Sequence, residues 1–216
     1  MDEAEGPNLT TNGVHLNDFG YWAIHRAMFD QLVDNDQQPW RIAVDVTANT
    51  ATAEGVEISD LTTSDAVISF VIAETSSPTL PPPTSEPLPP QLELSRDRLR
   101  VENLTSGTYR LSVDDQDMVT RTAAQWAVGV PIDSSPAHIE SENLRDAIND
   151  KNLQFTYSWK ALNQVHIVGE RKSSTSGRAL PQEVIQFREL ANDRDAALSK
   201  RIKLKSRQWK LIRVQE

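Results

Sequence analysis

Cysteine is absent from this 216-residue chain, which excludes disulfides, thiolate zinc sites and cysteine nucleophiles. Glycine is scarce, with eight residues against twelve prolines, and neither a Walker loop nor G-x-G-x-x-G occurs. Nucleotide binding and a nicotinamide or flavin cofactor therefore find no motif to rest on, and no cofactor is expected. No apolar run approaches the ~18 residues a membrane-crossing helix needs. The opening Met1-Asp-Glu-Ala-Glu-Gly6 is acidic and polar, the reverse of a secretory signal, so the chain is expected to begin without one. The compartment stays undetermined by the sequence. Lysine is missing from residues 1–150 altogether.

What is present is asymmetric. Residues 1–150 carry 8 Arg and 25 Asp+Glu, a balance of −17, while residues 151–216 carry 14 Lys+Arg and 6 Asp+Glu, a balance of +8. Two readings follow: a basic tail for nucleic acid, or an acidic body and a basic segment that attract each other within one fold. The second is preferred, because the basic residues are interleaved with amphipathic helix and lack the aromatics of a base-stacking surface. No nucleic-acid or membrane partner is expected.

Periodicity outlines an α+β chain of one or two domains at about 150 residues each. Phe19, Trp22, Ile24, Met28, Phe29 and Leu32 recur at helical spacing behind Asn17 or Asp18 as N-cap, predicting a helix over 18–34. Trp40, Ile42, Val44 and Val46 alternate with polar residues as in a strand, as do Val56 and Ile58, and 66–73 is a strand with a long apolar core. Seven of the twelve prolines lie in Pro78–Pro90, so 75–90 reads as an extended loop. Leu92 and Leu94, Leu99 and Val101, then Tyr109, Leu111 and Val113 supply further strands, with Asp114-Asp115 as a turn. The expected layout is a terminal loop and helix (1–36), a small antiparallel β-sandwich-like domain (37–117) and a helical C-terminal extension (118–216). Within that extension helices are expected over 119–128 with Gly129 as C-cap, over 139–160 with Ser141 or a neighbour as N-cap, and from Pro181 to about Lys203. Residues 165–168 look β-like and 171–179 like a polar loop.

Among four histidines, His25 falls inside the first helix, His138 in a loop where solvation is expected, and His166 in the short β-like stretch. None has a ligand-spaced partner, so no metal site is expected. His15 has a different setting. The string Leu9-Thr-Thr-Asn-Gly-Val-His-Leu-Asn-Asp-Phe-Gly-Tyr-Trp22 resembles the last sequence block of SGNH (GDSL-type) hydrolases, Asp-x-x-His followed by polar residues, Gly and a helix. The resemblance implies ester hydrolysis, with His15 as general base for a serine. It sets Asn12 in the position of the family's orienting Asp. An Asn there can accept a hydrogen bond but adds no charge to stabilise an imidazolium.

A second likeness covers much of the remainder. Leu104-Thr-Ser-Gly-Thr-Tyr109, Ala124-Gln-Trp-Ala-Val-Gly129, Lys151-Asn-Leu-Gln-Phe155, Trp159 and Asn163 look like the extension that follows the hydrolase domain in some large bacterial SGNH proteins. The family's Gly-Asp-Ser, oxyanion-hole Gly and Gly-x-Asn-Asp blocks have no counterpart, and the chain has no Gly-Asp dipeptide. The resemblance thus implies a C-terminal, catalytically incompetent portion of such a hydrolase, a remnant of its α/β domain plus extension. It would meet an ester substrate only if the missing N-terminal half were supplied. The alternative is a non-catalytic β-sandwich binding or protein-interaction module, whose five tryptophans could line a surface.

Overall fold

The computed structural model of the chain describes residues 6–32, 39–93, 96–159 and 172–214. It is an α+β fold whose chain divides into two compact units, residues 1–139 with 204–216 and residues 140–203. In the first unit, alternation decides which side of each strand is buried. Ile42 and Val44 of β1 (Arg41–Asp45) and Leu99 and Val101 of β5 (Arg98–Glu102) point inward, while the arginines and acids between them point out. These strands pair in parallel. With β2 (Thr50–Glu54) on one side and β8 (Val130–Pro131) on the other, they make a four-stranded sheet ordered β2-β1-β5-β8.

The second sheet is antiparallel throughout. Its order is β3 (Val56–Thr63), β4 (Val67–Glu74), β9 (Ser206–Val214), β6 (Thr108–Val113) and β7 (Gln116–Thr122). Asp114 and Asp115, at φ 49° and 62°, make the tight turn between β6 and β7, a backbone state that Asp tolerates better than most residues. Side chains of both sheets share one core with Trp126 of α3 (Ala123–Val128), whose indole donates to the Tyr109 carbonyl at 3.3 Å. Trp209 of β9 sits edge-on to Trp40 at 5.7 Å and stacks on Phe70 at 6.1 Å, so the last strand fills the centre of the sandwich.

Charge fixes that strand as well. Arg207, 5% exposed, pairs with Glu74 and with Asp114 at 3.2 Å, and Lys210 pairs with Asp115 at 2.8 Å. Acidic and basic parts of the sequence do meet within one fold, through strand pairing.

Several local expectations change. Residues 206–214, counted with a basic helical segment, are the central strand β9. Gln116–Thr122 is strand, so the helix expected from 119 starts only at Ala123, where Thr122 and Gln125 form a capping box; Gly129 does end it. Leu92 lies in a one-turn helix, α2 (Pro90–Glu93), instead of a strand, and Leu94 lies outside the described residues. β2 was not foreseen. The stretch 118–216, expected to be helical, thus also holds the end of β7, β8 and β9.

The second unit is built on α4 (Pro136–Trp159), which begins in the first, and α5 (Thr175–Leu198). Tyr157 packs on Phe187 at 5.4 Å, Lys151 pairs with Asp195 at 3.4 Å, and Arg194 pairs with Asp150. The polar run before Pro181 is helix, not loop, because Ser174 accepts the Gly177 N–H at 3.0 Å and caps it; Pro181 lies inside. Residues 165–168 lie outside the described residues.

Replacing Trp209, 4% exposed, by Ala should destabilise the protein by about 3–5 kcal/mol through loss of buried aromatic area plus a cavity. Leu190→Ala, at a position 43% exposed, should change stability by no more than ~0.5 kcal/mol. Urea unfolding followed by circular dichroism measures both. Equal midpoints would contradict the placement of β9 at the core.

Candidate functional site

The loop before α1 (Asp18–Leu32) is closed by its own hydrogen bonds. Thr10 and Leu16 form a bridge, Thr11 N–H donates to the His15 carbonyl at 2.9 Å, and Asn17 N–H donates to the Leu9 carbonyl at 3.1 Å. Inside this closed loop, Asn12 Oδ1 accepts the backbone N–H of His15 at 2.9 Å and of Val14 at 3.2 Å. The same amide reaches the ring: its Oδ1 lies 3.3 Å and its Nδ2 3.1 Å from His15 Nδ1. Among the described residues Nε2 of this exposed histidine has no hydrogen-bond partner. With Nδ1–H donating to Asn12 Oδ1, Nε2 carries the free lone pair of a base; with Nδ1 accepting from Asn12 Nδ2, Nε2 carries the hydrogen instead, so the tautomer decides which role the ring can take.

The helix behind the loop holds its position. Asn17 is the N-cap: its Oδ1 accepts the Gly20 N–H at 2.8 Å, and its Nδ2 donates to the Asn8 carbonyl at 2.7 Å. Gly20 passes so close to Leu9 that a Cβ there would lie 2.0 Å from the Leu9 carbonyl oxygen. Only glycine lets the loop lie on the helix. Phe19 is buried and stacks with Trp22 at 5.7 Å, while Tyr21, Ile24, Met28 and Leu32 are the exposed large apolar residues of the helix.

The remaining histidines separate. His25 stacks on Phe29 at 5.6 Å, and His166 lies outside the described residues. His138, expected to be solvated in a loop, is 3% exposed in the first turn of α4. Ser135 Oγ lies 2.8 Å from its Nδ1, and Asp97 Oδ2 lies 3.6 Å from its Nε2. Serine, histidine and a carboxylate therefore meet, but the serine is on Nδ1 and the acid faces Nε2. All three are no more than 3% exposed, which leaves no room for a substrate carbonyl. The cluster is a fastener. Asp97 Oδ1 accepts the Trp40 N–H at 2.9 Å and its Oδ2 accepts the Thr79 N–H at 3.3 Å, tying the start of β1 and the proline-rich segment to one carboxylate beside the His138 ring of α4. Ser135-Pro136 was the overlooked sign, a capping serine followed by proline at the first helical position.

Of the five tryptophans, Trp40, Trp126 and Trp209 are core, Trp22 is half-buried and Trp159 is exposed. Among the described residues no three His, Asp or Glu side chains are grouped to hold a metal ion, and no helix is long and apolar enough to cross a membrane.

No protein-family model matches the chain, and no curated protein matches its sequence. A solved structure of a gut microbial diltiazem-metabolizing enzyme shares the fold, with a TM-score of 0.71 at 16% identity over 96% of this chain. The chain spans 57% of that enzyme's length.

Asp97→Ala would leave the backbone N–H groups of Trp40 and Thr79 without their acceptor. Two unsatisfied buried donors should cost about 2–5 kcal/mol in urea unfolding. A loss under ~0.5 kcal/mol would show that Asp97 fastens nothing.

Proposed function

We propose that this chain is the histidine-bearing C-terminal portion of an SGNH/GDSL-type ester hydrolase, with His15 as general base. The observation that carries the reading is the loop of residues 9–17, in which Asn12 Oδ1 accepts the His15 backbone N–H and lies 3.3 Å from Nδ1, so that the tautomer with Nδ1–H donating to it leaves the Nε2 lone pair for a proton. In acyl transfer Nε2 would accept the proton of a serine hydroxyl as its oxygen attacks the ester carbonyl. It would then return the proton to the departing alcohol. The Asn12 amide orients the ring through this cycle without supplying charge to the imidazolium, so the base is weaker than one backed by Asp. The fold shared with part of a drug-metabolizing enzyme supports the reading, as does the 57% span. A base without a nucleophile and oxyanion donors cannot turn over esters, so the serine and the donors come from a segment outside these residues.

The purified chain should therefore hydrolyse p-nitrophenyl acetate no faster than buffer. Joined to a Gly-Asp-Ser-bearing segment encoded with it, the chain should turn the ester over, and His15→Ala should then lower kcat by about 10²–10⁴-fold with little change in KM. Asn12→Asp in the same protein should raise kcat. Turnover that survives His15→Ala would overturn the assignment.

A further inference from the structure

The outward face of the β2-β1-β5 sheet gathers arginine where the rest of this half of the sequence gathers acid. Strand register sets two rows across it. Glu54, Arg41 and Arg98 stand side by side in one, and Thr52, Ala43 and Arg100 in the next. The short Thr52 and Ala43 leave a groove of about 330 Å³ beside the three guanidinium groups, with the exposed Val128 at its edge.

Three of the eight arginines in residues 1–150 thus line one groove, where Glu54 is the only acidic residue lining it among the described residues. Like charges on neighbouring strands oppose sheet formation, and folding alone gives no reason to set Arg41 directly against Arg98. Desolvation by burial and then the neighbouring Arg98 charge hold the Arg41 pKa below its ordinary value, against the opposing pull of Asp97 and Glu54. Arg41 stays protonated.

The guanidiniums are also fixed in place. Arg41 Nη1 donates to the Arg96 carbonyl at 2.6 Å and the Trp40 carbonyl at 3.0 Å. Arg98 Nη1 donates to the Gly129 carbonyl at 2.9 Å. Gly129, at φ 102°, lies against the Arg98 stem, where a Cβ would come within 3.2 Å of Cδ. Arg100 pairs with Glu102 at 3.2 Å while its side chain remains 48% exposed at the groove. Cations held by backbone carbonyls beside a notch need little reordering to receive an anion.

We propose that this groove is a binding site for a small organic oxyanion, a molecule bearing a carboxylate or a phosphate, held by Arg41, Arg98 and Arg100. Guanidinium forks match the paired oxygens of both groups. The volume lies at the small end of the ~300–1,000 Å³ range of ligand sites, so the ligand is a single small molecule and not a stretch of polymer.

Isothermal titration calorimetry of the purified chain in low-salt Tris buffer tests this with three probes: glucuronate for the carboxylate, glucose 6-phosphate for the phosphate, and neutral glucose. Saturable one-to-one binding of at least one acid, and none of glucose, is expected; which acid binds identifies the anion class. Arg100→Gln and Thr52→Glu, both at exposed positions, should each weaken binding at least tenfold with an unchanged circular dichroism spectrum. Arg121→Gln on β7 should leave it unaltered. No saturable binding of either acid, or equal affinity in all variants, would overturn the site.

Discussion

Strand β9 is the constraint on which the first unit depends. Residues 206–214 enter between β4 and β6, so one sheet joins residues far apart in sequence and cannot close until the last part of the chain arrives. A buried charge holds the entry. Arg207 takes Glu74 and Asp114, Asp114 Oδ1 also accepts the Gln208 N–H at 3.0 Å, and Glu74 Oε2 accepts the Lys205 N–H at 3.1 Å. Removing one member would leave a desolvated ion without its counter-charge, which costs far more than an exposed pair contributes.

Around that strand the two faces of the fold do different work. Inward, Trp209, Trp40 and Phe70 make the aromatic centre on which both sheets pack. Outward, the β1–β5 register sets Arg41 against Arg98 and opens a groove beside them. Asp97 connects these faces, because it holds the start of β1 beside the His138 ring of α4 while its field reaches Arg41. The loop of Asn12 and His15 rests on a separate arrangement, the close approach of Leu9 to Gly20. Its hydrogen bonds all fall between Asn8 and Gly20.

That locality explains what the sequence discloses. A side chain three residues before His15 on a tight loop must lie near it, so the Asn12–His15 contact is legible from spacing alone. Strands β1, β4 and β6 alternate cleanly and can be read directly. β9 alternates too, with Trp209 and Leu211 inward, but Arg207, Lys210 and Arg213 make it resemble a solvated basic segment; only the distant Glu74 and Asp114 show why a cation is buried there. β7 stays concealed because most of its side chains are exposed, and the start of α5 because Ser, Thr and Gly resemble a loop until Ser174 is seen capping it. The meeting of Asp97 with His138 joins residues 41 positions apart, and no local pattern announces it.

In the function we propose, His15 serves a hydrolase whose serine lies on a segment outside these residues. The most direct measurement is the sequence of the genomic DNA upstream of the Met1 codon, read in all frames. Coding sequence for Gly-Asp-Ser and Gly-x-Asn-Asp blocks is expected within about 150–200 codons, the length of one domain. An unrelated gene directly upstream, with neither block in any frame, would contradict it and leave a β-sandwich whose histidine has no serine to serve.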